Sequence, residues 1–392
     1  MLRVLTLSTL FPDVTRPNFG VFVEQQTLGL AARPDVDLRV VAPIGIPPWP
    51  LSALPHYRGL RSVPEREDWK GLDVRRPNFT TIPGTGARFH VAALTRRLIP
   101  LLTEIRRDFA FDVIHAEFFF PDGPAAVALG AHFRVPVSIK ARGSDVHHWG
   151  HAPGTATSVR KAGRDADGLL AVSAAMKADM AAIGMPPERI RVHNTGVDLA
   201  RFAPRERAAA KLAYGVTSPL IVSLGALIMR KGHDIVIDAV ADIPGATLLI
   251  AGEGPARAAL EAQIVARGLA DRVRLLGSIP HRDLPDLLAA ADVMALASAS
   301  EGLANAWVEA LACGTPIVIT AAGGAAEVVT KPVFGRIAAR EPQAFAAAIR
   351  ALLEDPPAQA EVRRGAEHFT WEANSAALFK HLAGLVAHFS FL

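Results

Sequence analysis

Glu301 and Glu309 stand eight residues apart in Glu301-Gly-Leu-Ala-Asn-Ala-Trp-Val-Glu309, among side chains that are almost all small or apolar. Charged residues are mostly solvated, yet this stretch contains no lysine or arginine to pair with either carboxylate one helical turn away. A carboxylate in such surroundings needs a polar partner, and a ligand hydroxyl would serve. On one continuous helix the two would lie roughly 12 Å apart and about 80° out of alignment, too far to share a metal ion or a proton. The spacing suits two contacts along one elongated ligand.

A second constellation lies upstream. The apolar run 220–225 leads into Ala226-Leu-Ile-Met-Arg230-Lys231-Gly232-His233-Asp234 and then a helical run, 235–240. Two adjacent cations and a glycine at a helix start suit a diphosphate, because the cations neutralise it and the helix N-terminus adds backbone donors. The turn Leu303-Ala304-Asn305 offers further amides to the same diphosphate, which would leave Glu301 on the sugar side and Glu309 toward a ribose. The glycines of Gly252-Glu253-Gly254 and Gly277 close two more strands. They serve as tight turns, or they let a nucleobase approach the backbone. In the N-terminal half, Gly20 precedes a helix, His115-Ala-Glu117 runs into the aromatic turn Phe118 to Phe120, and Arg142-Gly143-Ser144-Asp145 closes another strand. Gly20 as a helix start, the phenylalanines as core and Asp145 as a cap are the structural alternatives. His147 and His148 lack further ligands nearby in sequence and read as surface histidines.

Short β-branched runs alternate with alanine-rich helical stretches in both halves, the pattern of parallel sheets covered on both faces by helices. Strands are expected at 3–8, 37–42, 113–116, 135–141, 168–172 and 190–193, and again at 220–225, 246–252, 273–277, 293–297 and 316–320. Such a chain, 392 residues long, exceeds the size at which one core stops growing. Two doubly wound domains follow: residues 1–200, with the C-terminal helix 371–392 packing back on them, and residues 201–370. The proline- and tryptophan-rich segment 44–83 reads as an irregular excursion. In open α/β sheets ligands bind beyond the carboxyl ends of the strands, and the candidate residues above cluster at such ends.

Composition narrows the setting. A single cysteine, Cys313, forms no internal disulfide and fits a reducing, cytoplasmic compartment. The N-terminus reads as a first strand rather than a signal peptide, and no apolar run is long enough to span a membrane. Residues 1–200 carry 24 Lys and Arg against 19 Asp and Glu, and the remainder 18 against 19, so the basic excess is N-terminal. Part of it lies in segment 88–107, whose arginines sit among leucines and isoleucines. This is either a solvated amphipathic helix or one resting on the inner face of an anionic membrane. The basic residues are not interleaved with aromatics, and no nucleic-acid partner is expected.

The order of segments, from Gly20 through His115-Ala-Glu117, Arg142-Gly-Ser-Asp145, Asn194-Thr-Gly-Val-Asp198, Arg230-Lys231-Gly232 and Gly252-Glu-Gly254 to Glu301 with Glu309 and Gly323-Gly324 with Glu327, resembles glycosyltransferase family 4 over almost the whole chain. That resemblance implies a GT-B fold, two Rossmann-like domains facing a central cleft. It implies a retaining glycosyltransferase that moves a sugar from a nucleoside diphosphate to a lipid-linked or saccharide acceptor in bacterial surface-polysaccharide synthesis, with no cofactor and no bound metal. Residue by residue, Lys231 with Arg230 would bind the donor diphosphate beside Gly225, Gly20 and the amides of Leu303, Ala304 and Asn305. Glu309 would take the ribose, Glu301 would contact the transferred sugar, Arg142 and Asp145 would complete the catalytic set, and Glu117, Gly252 and Glu253 would line the donor and acceptor cleft. Two positions depart from the family: Ala226 stands where many members have arginine, and Arg142 where many have histidine. Arg230 is placed to replace the first charge. Arginine stays protonated and cannot act as a base, which suits a mechanism in which the leaving diphosphate deprotonates the acceptor. A sugar-nucleotide epimerase on the same fold and a non-catalytic sugar-nucleotide-binding protein are the rival readings.

Overall fold

The computed structural model describes residues 1–390 and divides into two compact units, Met1–Asn194 with the segment beginning at Trp371, and Thr195–Thr370. The first unit holds ten strands: β1 (Leu2–Leu7), β2 (Val36–Val41), β3 (Ile44–Ile46), β4 (Arg66–Trp69), β5 (Leu72–Arg75), β6 (Asn78–Thr80), β7 (Val113–Ala116), β8 (Val137–Ala141), β9 (Gly168–Ala171) and β10 (Ile190–Val192). Eight of them form one sheet in the order β10-β9-β8-β7-β1-β2-β5-β4, parallel except for the β4–β5 hairpin. The central strands are apolar and buried on both faces, as strands covered by helices on two sides must be.

The eleven strands expected from the alternating pattern are all present, with ends shifted by at most two residues. Segment 44–83 differs from the expectation. It is not irregular: β3 and β6 pair in parallel, and β4 and β5 extend the main sheet. The β4–β5 turn is Lys70-Gly71, both with positive φ, 54° and 87°, the two-residue hairpin geometry that matches strand twist. Its tip is fixed on helix Val21–Ala31, where the carboxylate of Glu24 accepts from Trp69 Nε1 and pairs with Lys70 Nζ at 2.9 Å. Nothing in the proline-rich composition signals that contact.

Helix His90–Ile105 occupies the basic segment 88–107. Its Leu94, Leu98, Leu102 and Ile105 are buried against helix Asp122–Phe133 and β6, so the apolar stripe belongs to the unit's own core and only the arginine face is free. The last helix, Trp371–Phe389, packs along helix Val21–Ala31, buries Leu378 and Leu382, and joins His381 Nε2 to Ser138 Oγ on β8 at 2.9 Å.

In the second unit β11 (Leu220–Leu224), β12 (Thr247–Ala251), β13 (Val273–Gly277), β14 (Val293–Leu296), β15 (Ile317–Ile319) and β16 (Gly335–Ile337) make an all-parallel sheet in the order β13-β12-β11-β14-β15-β16. This is the doubly wound order, whose direction of winding reverses between β11 and β14. The loops that leave those two strands carry Lys231 and Glu301.

Candidate active site

In the second unit the two strand-end loops are locked together before any side chain reaches a ligand. Gly232 has φ 69°, and a Cβ there would lie 2.1 Å from the carbonyl oxygen of Ala297, so only glycine fits. Beside it Ala299 N–H donates to Arg230 O at 2.8 Å, and the Arg230 guanidinium donates to the carbonyl of Ser300. The loop after β11 is thus stitched to the loop after β14, which places Lys231 Nζ 2.5 Å from Glu301 Oε1, with both side chains largely buried. From the other side Gly324 N–H donates to Gly302 O, and Gly323 leaves no room for a side chain against the carbonyl of Glu301. The carboxylate expected to await a ligand already has a protein partner. That partner comes from a distant segment, which is why spacing along the helix did not reveal it.

Glu309 lies on helix Asn305–Ala312 and is also paired, with His281 Nε2 at 2.8 Å. The helix starts at Ala304 without a side-chain cap. The amides of Leu303, Ala304 and Asn305 take no partner among the described residues, so the orphan donors of a helix N-terminus remain available beside Glu301. Gly225 and Gly252 meet each other: a Cβ on Gly252 would stand 1.8 Å from the oxygen of Gly225. Of the two readings of these glycines, close packing of strand-end loops accounts for Gly252 by itself. The Glu253 side chain is exposed and turned toward Arg257, 3.5 Å away.

The first unit assembles a separate buried cluster at the carboxyl ends of β7 and β8. Arg142 donates through Nη2 to Glu117 Oε2 at 2.5 Å and through Nε to Glu117 O at 2.9 Å, and stacks over the Phe22 ring. Burial opposes the charge on Glu117, but its neighbours, Arg142 foremost, outweigh it and hold this carboxyl far below the usual carboxylate range. Lys140 is fully buried. Burial first, and then Arg142, drive its ammonium toward the neutral form. Its nitrogen contacts Gln26 Oε1 at 2.5 Å and His193 Nδ1 at 2.7 Å, and His193 Nε2 donates to Asn374 O at 2.9 Å. A neutral lysine with both protons donated satisfies every one of these contacts. Gln26, Lys140, His193 and Asn374 were missed in the sequence because each comes from a different element.

Asp145 is completely buried and accepts from the backbone amides of Phe119, Arg142, Gly143 and Val146 at 2.7 to 3.2 Å. Its oxygens organise the turn that presents Arg142. Gly20, φ 71°, likewise sits where a Cβ would strike the Leu10 carbonyl at 2.5 Å, at the start of helix Val21–Ala31. Asp122 accepts from Thr9 N–H at 2.8 Å through Oδ2, while its Oδ1 is buried without a partner. Burial, with Asp145 and Glu117 nearby, pushes its pKa up to about 7.

The switch point of the second unit is thus flanked by a cation and a carboxylate, beside a helix N-terminus whose amides have no partner among the described residues, an arrangement chemically suited to a phosphorylated ligand. Comparisons with known proteins specify the class. Residues 204–369 match the family described as Glycosyl transferases group 1, and residues 25–201 match Glycosyltransferase Family 4. The chain is 29% identical to the teichuronic acid biosynthesis glycosyltransferase TuaC of Bacillus subtilis (strain 168), over 89% of this chain and 88% of that protein. It is 32% identical to a GDP-mannose-dependent alpha-(1-6)-phosphatidylinositol monomannoside mannosyltransferase of Mycolicibacterium smegmatis, over 67% and 73%. Among solved structures it superposes on sucrose-phosphate synthase of Thermosynechococcus elongatus with a TM-score of 0.81 at 21% identity, covering 99% and 100% of the two chains. It also superposes on Anabaena Alr3699/HepE in complex with UDP, with a TM-score of 0.75 at 21% identity over 98% and 100%. The chain belongs to glycosyltransferase family 4, its fold is GT-B, and it is a glycosyltransferase.

Asp122 gives a measurable pH signature. Its folded pKa of about 7 exceeds the model-compound value of 3.8, so between those values the native state holds a proton that the unfolded chain has lost. The associated stability is present in acid and disappears as pH rises through about 7. Asp122→Asn removes that titration. Urea unfolding should show the variant gaining about 1 kcal/mol or more relative to the parent between pH 5 and pH 8. A difference that is the same at both pH values would refute the assignment.

Proposed function

We propose that this chain is a retaining glycosyltransferase that transfers a sugar from a nucleoside diphosphate to a lipid-linked or saccharide acceptor, at the cytoplasmic face of a cell that builds surface polysaccharide or glycolipid. The observation that carries the proposal is the Lys231–Glu301 pair at the switch point of the second unit. A diphosphate brought to the free amides of Leu303 to Asn305 draws the Lys231 ammonium to its oxygens. Glu301 is thereby released to accept hydrogen bonds from the sugar hydroxyls. Arg230, exposed beside Lys231, supplies the second positive charge, and Glu309 holds the ribose. As the bond from the anomeric carbon to the diphosphate oxygen breaks, negative charge grows on that oxygen, where Lys231 and the helix N-terminus stabilise it. The departing oxygen takes the acceptor's proton. Known relatives support this reading: HepE has been solved with UDP-glucose, and the mycobacterial relative is named as GDP-mannose-dependent. No metal is assigned a role, the cations of the chain carrying the neutralisation. In the first unit the Arg142–Glu117 cluster is assigned to the acceptor.

A lipid-linked acceptor calls for contact with a membrane, and the first unit has a surface suited to it. No helix among the described residues is long and apolar enough to cross a membrane. Strands β3 and β6 run in parallel and release their following segments at one edge, where Thr81 N–H still bonds to Ile46 O. Those segments expose Trp49 (80%), Leu51, Leu54, Ile82 and Phe89. Arg58, Arg61, Arg88 and Arg96 are exposed nearby in sequence, and residues 38–64 and 74–103 contain no Asp or Glu. Aromatic and aliphatic side chains rimmed by arginines suit an anionic lipid surface.

Lys231→Ala should reduce sugar transfer by more than about a hundredfold in a protein that still folds, with a lowered thermal midpoint because the buried Glu301 loses its partner; undiminished transfer would sink the site assignment. In sedimentation with vesicles, the protein should bind phosphatidylglycerol in preference to phosphatidylcholine. The paired change Trp49→Ser and Leu54→Ser should lower that binding about tenfold. Equal binding by parent and variant would show that this edge is not the lipid contact.

A further inference from the structure

Glu309 is one member of a three-residue chain whose other members have no role so far. Arg201 Nη2 stands 2.6 Å from His281 Nδ1, and His281 Nε2 stands 2.8 Å from Glu309 Oε1. A guanidinium nitrogen can only donate, so Nδ1 of His281 accepts. The ring proton therefore sits on Nε2 and is donated to Glu309. The ring packs against buried Phe202 in a tilted arrangement, with centroids 5.5 Å apart. Arg201 is itself fixed: its amide bonds to Asp198 Oδ1 at 3.0 Å, and its guanidinium lies over the Phe202 ring. His281 begins a three-residue turn after Pro280, so its backbone comes from a third segment.

We propose that His281 is a positioning residue that fixes Glu309 for recognition of a ribose, and that the chain Arg201–His281–Glu309 makes the donor site selective for ribonucleotides over deoxyribonucleotides. This rests on the reading of Glu309 as the ribose anchor. The bond from His281 immobilises one carboxylate oxygen. The other, Oε2, has no partner among the described residues and is the atom left to accept from a ribose hydroxyl. Without His281 the carboxylate keeps its charge but loses its orientation, and an acceptor that can rotate away discriminates weakly between a sugar with a hydroxyl and one without. The tautomer matters as much as the distance. Were Arg201 absent, Nδ1 could carry the proton, and an unprotonated Nε2 would face the carboxylate with a lone pair instead of a donor.

Calorimetric binding to the full chain separates the possibilities. The probes are UDP and GDP, each with its 2′-deoxy and 3′-deoxy counterparts. The parent should bind at least one ribonucleotide about tenfold or more tighter than a deoxy form. Both Glu309→Gln and His281→Phe should lose most of that ratio chiefly by weakening the ribonucleotide. His281→Gln, whose amide can place a donor near the Nε2 position, should recover it in part. If His281→Phe fails to fold, Arg201→Met against His281→Gln makes the same comparison. Discrimination retained in His281→Phe, or in Arg201→Met when it stands in, but lost in Glu309→Gln would overturn the role of His281 and leave the ribose anchor standing. Discrimination retained in Glu309→Gln, or no binding of either nucleotide by the parent, would overturn the anchor itself and with it the inference.

Discussion

Glu301 and Lys231 are both mostly removed from water and meet at 2.5 Å, and the architecture of the second unit follows from how that pair is tolerated. A buried carboxylate or ammonium alone is costly, and removing one partner strands the other. The two loops therefore have to stay together when no ligand is present. The means are local and inexpensive: a left-handed glycine against the Ala297 carbonyl, and two hydrogen bonds from the Arg230 region to Ala299 and Ser300. The sheet order then does the rest, because β11 and β14 are neighbours at the one place where winding reverses. On the proposed reading, an anionic ligand arriving at this edge would find a cation and a carboxylate already largely desolvated and oriented.

The first unit solves a similar problem differently. Its cluster holds Glu117, Lys140, His115 and His193 in nearly complete burial beside the mostly buried side chain of Arg142, and charge is kept only where an opposite charge is adjacent. Glu117 keeps its charge because Arg142 is against it. Lys140, competing with the same arginine, is driven toward neutrality and becomes a double donor that links Gln26 to His193. Through His193 the network reaches Asn374 on the last helix, so the chain's final segment helps hold the strand ends that present Arg142. Fold and site are not separable here: the residues that order the strand ends are the ones that set the charge of the cluster.

Strand positions were legible because parallel strands buried on both faces leave short apolar runs rich in β-branched residues, as in Leu220–Leu224 and Ile317–Ile319. The strands between residues 44 and 80 were not, since they are three or four residues long and interrupted by prolines. The deciding contact, Trp69 and Lys70 on Glu24, spans more than forty positions. The site divides in the same way. Lys231, Glu301 and Glu309 stand out by charge in apolar surroundings, whereas His281, Gln26 and Lys140 acquire meaning only from partners far away in sequence. Asp145 illustrates the converse. Its type and place at a strand end suggest chemistry or a cap, and only the structure shows the four amides that surround it.

The central claim is that the Lys231 ammonium exchanges Glu301 for the donor diphosphate. A structure of the protein with a nucleoside diphosphate sugar bound tests it directly. The account predicts Lys231 Nζ within hydrogen-bond distance of a phosphate oxygen, separated from Glu301, with the Glu301 carboxylate on a sugar hydroxyl. A diphosphate bound elsewhere, with the Lys231–Glu301 contact intact, would contradict it.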